Sequence, residues 1–171
     1  NGLNDKETLG IDISKELLDL AREVLPNTNF IEGDIATIDL PTSEFDIILS
    51  VRVFEYLDLE GLRSAMQNAH NALKNDGVLH LIIGHPLRVN DGDIRTYLER
   101  GVREVALPWG LKVPLYHKTI SDYVAAGLSS GFTLSYIEET SLPGILKEEN
   151  PEKFDNYESY GAVSLVLTFR K

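Results

Sequence analysis

The order in which short apolar runs alternate with amphipathic stretches constrains this chain more than any other feature. Leu9-Gly10-Ile11-Asp12-Ile13-Ser14 is an apolar run closed by a carboxylate. Lys15 to Leu25 follows with Leu17, Leu18, Ala21, Val24 and Leu25 at helical spacing, Ser14 as N-cap and Pro26 as stop. Thr28 to Glu32 predicts a second short strand around Phe30 and Ile31, ending at Gly33-Asp34. After the turn Pro41-Thr42-Ser43, the run Phe45 to Val51 has the length and β-branched content of a central strand buried on both faces, with Asp46 as a mild anomaly. From Leu59, residues Leu62, Ala65, Met66, Ala69, Ala72 and Leu73 recur at helical spacing, with Asp58 as a cap and Asn75-Asp76-Gly77 as the end. Val78 to Gly84 is the next strand. Strand, helix, strand, short connection, strand, helix, strand calls for crossover helices and a parallel sheet.

Functional groups in such sheets lie at the carboxyl ends of the strands. Asp12, Asp34, Ser50 and His85 all fall at or just past such an end, so the pattern gathers them along one rim. Beyond it, residues 85–118 break the rhythm with Pro86, Pro108, Trp109, Gly110 and Pro114 and one expected helix from Asp91 to Glu104, the features of an inserted lid. A helix starting at Thr119 or Ser121 runs to Gly131. Phe132 to Glu139 and Ala162 to Phe169 predict two further strands, joined without a clear helix and therefore able to pair antiparallel at a sheet edge.

Composition narrows the partners. Lys plus Arg number 16 against 27 Asp plus Glu, a formal charge of −11, so a polyanion gains no counterion-release affinity and nucleic acid is not expected as a partner. The absence of cysteine removes disulfides, thiolate nucleophiles and Cys-type zinc sites, and no residue set suggests another metal. No apolar run approaches a membrane span and the first residues lack signal character, so the expectation is a cytoplasmic protein with no membrane partner. The 171 residues contain no linker or repeat and read as a single domain. Nothing in them assigns an oligomeric state.

A carboxylate at a strand end can accept hydrogen bonds from both vicinal hydroxyls of a ribose, which makes Asp12 the first candidate for nucleotide contact. His85 and His117 are candidate general bases, and each also reads as an ordinary core or surface histidine. Glu55 is either a group facing substrate or a helix-start acid. Trp109 and Tyr116 either shape an acceptor pocket or pack the lid.

Four stretches, in this order and spacing, resemble the class I S-adenosylmethionine-dependent methyltransferases: Leu9-Gly10-Ile11-Asp12-Ile13-Ser14; Phe30-Ile31-Glu32-Gly33-Asp34-Ile35; Phe45-Asp46-Ile47-Ile48-Leu49-Ser50-Val51 followed by Phe54-Glu55-Tyr56-Leu57; and Leu73-Lys74-Asn75-Asp76-Gly77-Val78-Leu79. Tyr116-His117-Lys118-Thr119-Ile120-Ser121-Asp122-Tyr123, with Gly131-Phe132 after it, is similar to the small-molecule, ubiquinone/menaquinone-methyltransferase-like (type 11) branch. The resemblance implies an α/β, Rossmann-like, doubly wound and mostly parallel sheet with an antiparallel C-terminal edge strand and the inserted lid. It implies S-adenosylmethionine as cofactor and a small-molecule methyl acceptor. By that analogy Asp12 holds the ribose, Ile13 packs on the adenine, Asp34 and the Ile35 amide meet the adenine edge, and Ser50 and Val51 lie beside the methionine part.

The family's glycine-rich loop does not appear in full, and Gly2 stands as its last glycine. The expectation is that a first strand and that loop are missing from this sequence, by truncation or by omission of an internal segment. Two other readings share the pattern. A nicotinamide-dependent oxidoreductase also uses a strand-end acid, but no tyrosine here has a lysine four residues later, the pair of the short-chain dehydrogenases. A non-catalytic methyltransferase-like module would carry the fold without the cofactor.

Overall fold

The computed structural model describes residues 8–89, 93–106, 111–141, 148–149, 151 and 163–171. The first strand, β1 (Leu9–Asp12), leads into α1 (Lys15–Val24), which Ser14 caps by accepting from the Leu17 amide. β2 (Asn29–Glu32) lies parallel to β1 in the register Leu9↔Asn29 to Asp12↔Glu32. β3 (Phe45–Val51), a 3-10 turn (Phe54–Tyr56), α2 (Leu59–Ala72) and β4 (Leu73–Gly84) follow, and β3 and β4 are parallel. The C-terminal part comprises the short α3 (Pro86–Val89), β5 (Gly101–Ala106), β6 (Lys112–His117), α4 (Ile120–Ser129), β7 (Thr133–Thr140) and β8 (Ser164–Arg170). The sheet order is β3-β4-β8-β7, with β8 antiparallel to both neighbours, so the expected mixed α/β sheet with an antiparallel pair at its edge is present.

Two expectations fail locally. The helix expected from Asp91 to Glu104 is instead a 3-10 turn at Ile94–Thr96 followed by β5, which pairs antiparallel with β6. Gly101 adopts φ 146°, a backbone state that ends any helix there, and Val102 and Val105 then face Tyr116 and Val113 across the hairpin. The helix before β4 stops at Ala72 rather than at Asn75, and the strand begins at once with Leu73.

The core fills one face of the four-stranded sheet. Leu62, Ala65, Met66 and Ala69 of α2 and Tyr123 and Ala126 of α4 meet Leu79, Leu81 and Ile83 of β4 and Leu165, Leu167 and Phe169 of β8. α4 approaches β8 so closely that a Cβ on Gly127 would overlap the Phe169 ring. Gly127→Ala should therefore destabilise the fold by about 1–3 kcal/mol of overpacking, outweighing the roughly 1 kcal/mol of helix propensity gained. A lowered urea midpoint would show it, and an unchanged or raised midpoint would refute the packing argument.

The opposite face of β3 is bare. Ile47, Leu49 and Val51 are 60%, 63% and 49% exposed, although the sequence reads as a strand buried on both sides. Only one face has a covering element among the described residues, since α2 and α4 pack on the same side. Leu17, Leu20 and Val24 of α1 are exposed as well. Among the described residues β1 and β3 are not paired, so two parallel strand edges and an apolar strand face stay open. No helix among the described residues is long and apolar enough to cross a membrane.

Candidate functional site at the strand ends

Parallel registration brings Asp12 and Asp34 to one edge. Asp12 ends β1 opposite Glu32, its carbonyl accepts from the Gly33 amide at 3.0 Å, and Asp34 follows directly. The Asp12 carboxylate is half-buried and uses Oδ1 to accept from the Ser14 amide at 2.8 Å, which fixes the entry to α1. The Ile13 side chain beside it is 71% exposed, an apolar surface left open among the described residues.

Asp34 starts a tight turn. Its carboxylate accepts from the Ala36 amide at 2.8 Å and its carbonyl from the Thr37 and Ile38 amides. Asn68 of α2 pins that turn by donating to the carbonyls of Ile35 and Ile38, while Ile35 packs against the core. Asn68 was not singled out in the sequence. An amide inside an otherwise apolar helical stripe is the signal that marks it, because a polar group placed there needs acceptors from another element.

Ser50 and Val51 end β3, level with Leu81 and Ile82 of β4. The Ser50 hydroxyl is buried and has no hydrogen-bond partner among the described residues. Arg52, next in the chain, adopts φ 61°. A non-glycine residue in that region stores about 1–3 kcal/mol of strain and is held there by its surroundings. Here the restraint is Glu55, which is 2% exposed, pairs with Arg52 at 3.0 Å and accepts from the Gly84 amide at 2.6 Å. Arg52 lies so close over Gly84 that a Cβ there would sit 2.5 Å from its Nη1. Glu55 is thus turned into the protein, joining the ends of β3 and β4. Sequence reading missed Arg52, because a positive φ leaves no mark when the residue is not glycine.

Residues 1–77 match the family model described as a methyltransferase domain. A S-adenosylmethionine-dependent methyltransferase from Mesorhizobium loti, 23% identical, superposes with a TM-score of 0.79 over 95% of this chain and 80% of its own. A single structure from Methanosarcina mazei, described under SAM-dependent methyltransferases, gives 0.69 at 16% identity, over 95% and 81%. The Burkholderia thailandensis 1,6-didemethyltoxoflavin-N1-methyltransferase, solved with 1,6-didemethyltoxoflavin and S-adenosylhomocysteine, gives 0.60 at 15% identity, over 95% and 60%. The fold is that of the S-adenosylmethionine-dependent methyltransferases. No curated protein matches the chain in sequence. These neighbours are S-adenosylmethionine-dependent enzymes, and one of them was solved with S-adenosylhomocysteine.

The rim fits that cofactor chemically. A carboxylate, an exposed aliphatic side chain beside it, a second strand-end acid and a buried hydroxyl with no partner among the described residues are the group types that a nucleoside and a polar amino-acid tail take. Among the described residues there is no cluster of His, Asp and Glu suited to a metal ion. Gly2 and Trp109 lie outside the described residues.

The two histidines of this methyltransferase fold differ. His85 is 1% exposed, its Nδ1 accepts from the Leu87 amide at 3.2 Å and its Nε2 donates to Glu139 at 2.7 Å, so both ring nitrogens are engaged. His117 ends β6, is fully buried, and donates from Nε2 to the Tyr97 carbonyl at 2.8 Å. Its Nδ1 has no partner among the described residues, and burial, the largest cause, pushes its pKa below the ordinary histidine value. A neutral imidazole with a free lone pair is the form a general base requires. Tyr116 is half-buried beside it, and Lys118, which sequence reading also passed over, is buried with its ammonium against three carbonyls.

Proposed function

We propose that this protein transfers the methyl group of S-adenosylmethionine to a small-molecule acceptor, as in the ubiquinone/menaquinone-methyltransferase-like branch. The observation that carries the reading is the buried Ser50 hydroxyl with no partner among the described residues, at the carboxyl end of β3. A buried polar group left unmatched by the protein is expected to meet a ligand or water. In this reading Asp12 accepts from the ribose hydroxyls and Ile13 lies on the adenine. Asp34 and the Ile35 amide take the adenine edge, and Ser50 and Val51 meet the methionine part.

In this reading the described part of the insert after β4 faces the acceptor of this single domain, with Tyr116 on that side. His117 is the better of the two candidate bases, since His85 has no free ring nitrogen. S-adenosylmethionine, held by the residues named above, would supply an electrophilic methyl group, and His117 Nδ1 would take the proton that the acceptor heteroatom gives up. Most of the acceleration comes from in-line alignment, so no metal is required for this step. The small-molecule class is supported by the −11 charge, which disfavours nucleic acid, and by the 1,6-didemethyltoxoflavin bound to the Burkholderia neighbour.

The edges of β1 and β3, unpaired with each other among the described residues, support one more part of the reading: a further parallel strand, with the glycine-rich loop after it, belongs between them. A cytoplasmic location goes with the same reading. Calorimetric titration with S-adenosylhomocysteine and with NADH tests it. Heat with the former alone, together with tritium transfer from methyl-labelled S-adenosylmethionine to a panel of phenols and amines, is expected. Heat with NADH alone would make the protein an oxidoreductase, and heat with neither would make it a non-catalytic module.

A further inference from the structure

We propose that Lys118 is a positioning residue that fastens the β5–β6 hairpin, and with it His117 and Tyr116, to the turn behind the strand-end rim. This rests on the reading above, in which the rim holds cofactor and the hairpin faces the acceptor.

Lysine is almost never fully buried unless its charge is matched, because removing an ammonium from water is costly. Lys118 is 1% exposed. Its Nζ donates to the carbonyls of Glu55 at 3.4 Å, Tyr116 at 2.9 Å and Leu57, which accounts for all three N–H bonds of an ammonium. The rings of Tyr116 and Tyr123 stand 5.2 and 5.3 Å from the same nitrogen. A core-packing role does not need a charge, and an aliphatic residue would fill this space without the desolvation cost.

The connections on either side give the placement its meaning. Glu55 and Leu57 belong to the turn after β3, and the Glu55 carboxylate holds the Gly84 amide and Arg52 at the rim. On the hairpin side, His117 donates to the Tyr97 carbonyl, the Ile120 amide donates to the Tyr97 hydroxyl at 3.0 Å, and Arg100 makes two bonds to Asp122, each 3.0 Å. Lys118 joins the second set to the first. Tying hairpin and rim into one body keeps the His117 lone pair at a fixed place relative to the cofactor site, where a displacement of about 1 Å already costs rate.

Several charged or titratable groups face this ammonium. They are Glu55 and Asp58 from the turn and the start of α2, Asp122 and Tyr123 from α4, and Tyr116 and His117 from β6, with Arg52 beyond Glu55. Burial, the largest cause, lowers the Lys118 pKa from 10.5 to about 8 in the docked corner. Freed from the corner, the lysine returns to its ordinary range. Between these values the docked state binds fewer protons, so rising pH favours docking by up to tenfold per pH unit. Between pH 8 and 9.5 the other shifted groups hold one protonation state: His117 and Asp122 are pushed below this window and Tyr123 above it.

Hydrogen exchange on the whole chain, corrected for the intrinsic base-catalysed rate, tests the proposal. In the wild type, protection of the amides in residues 112–117 should grow through that window. In Lys118→Met those amides and the ones in residues 54–57 should exchange at least tenfold faster, with no pH slope, and Lys118→Arg should recover part of the protection. The affinity for S-adenosylhomocysteine should stay within about threefold in all three proteins. Wild-type hairpin exchange in Lys118→Met, or in Lys118→Gln where the methionine variant fails to fold, would overturn the proposal. Loss of S-adenosylhomocysteine binding in the wild type counts against the functional reading instead and leaves the exchange result intact.

Discussion

Glu55→Ala is expected to lower the stability of this protein by about 2–4 kcal/mol, the largest loss from any single side chain at the rim. Three effects add. The Gly84 amide loses a 2.6 Å carboxylate acceptor in a buried place, and a buried donor without a partner costs about 1–3 kcal/mol. Arg52 loses its 3.0 Å ion pair. Breaking a buried pair by removing one partner costs about 3–5 kcal/mol, but the Arg52 side chain is 36% exposed and can regain water, so the low end or less applies. The φ of 61° at Arg52 also loses the contact that holds it. Glu55→Gln keeps an acceptor for the Gly84 amide and gives up only the charge, so it should fall between the wild type and alanine. Urea midpoints measured near pH 7 check the order. Equal midpoints for alanine and wild type would mean that Glu55 does not hold the ends of β3 and β4 together.

That residue also shows where reading the sequence stopped. Alternation of apolar runs and amphipathic helices was enough to place β1, α1, β2, β3, α2, β4, α4, β7 and β8, because each carries an apolar pattern of its own period. It also placed Asp12, Asp34, Ser50 and His85 at strand ends, since in a parallel sheet position along the strand alone decides that. Orientation was not legible. Glu55 could point to substrate or into the protein, and only the carboxyl end of β4, distant in sequence, supplies the Gly84 amide that draws it inward.

The hairpin was misread for a related reason. Residues 91–104 carry no strong period, and the single glycine at 101, with its φ of 146°, decides the matter against a helix. The expectation that β3 is buried on both faces came from composition, which does not say what covers a face. Ile47, Leu49 and Val51 are apolar enough for a core and stand exposed, and the same sequence would read no differently with a covering element in place. Lys118 escaped notice because lysine is ordinarily a surface residue, and its burial depends on carbonyls more than sixty positions away as well as on its neighbour Tyr116.

Asp12→Ala is expected to weaken binding of S-adenosylhomocysteine about 10- to 100-fold, which corresponds to the roughly 1.5–3 kcal/mol of hydrogen bonds to a charged acceptor. The geometry limits what else the substitution can do. Asp12 Oδ1 accepts from the Ser14 amide at 2.8 Å, and losing that bond at the start of α1 costs about 1 kcal/mol of stability, comparable to a lost cap. Binding and stability therefore have to be separated. Asp12→Asn does this, because its side-chain oxygen can still accept from Ser14 while the neutral amide offers the ribose a weaker acceptor and one unwanted donor. Calorimetry should give an Asn variant with near wild-type stability and most of the affinity loss. Ser50→Ala should cost less, about fivefold, since a neutral hydroxyl makes the weaker bond. An Asn variant that binds like the wild type would show that the carboxylate serves only the turn into α1, and the assignment of this rim to the nucleoside would then fall.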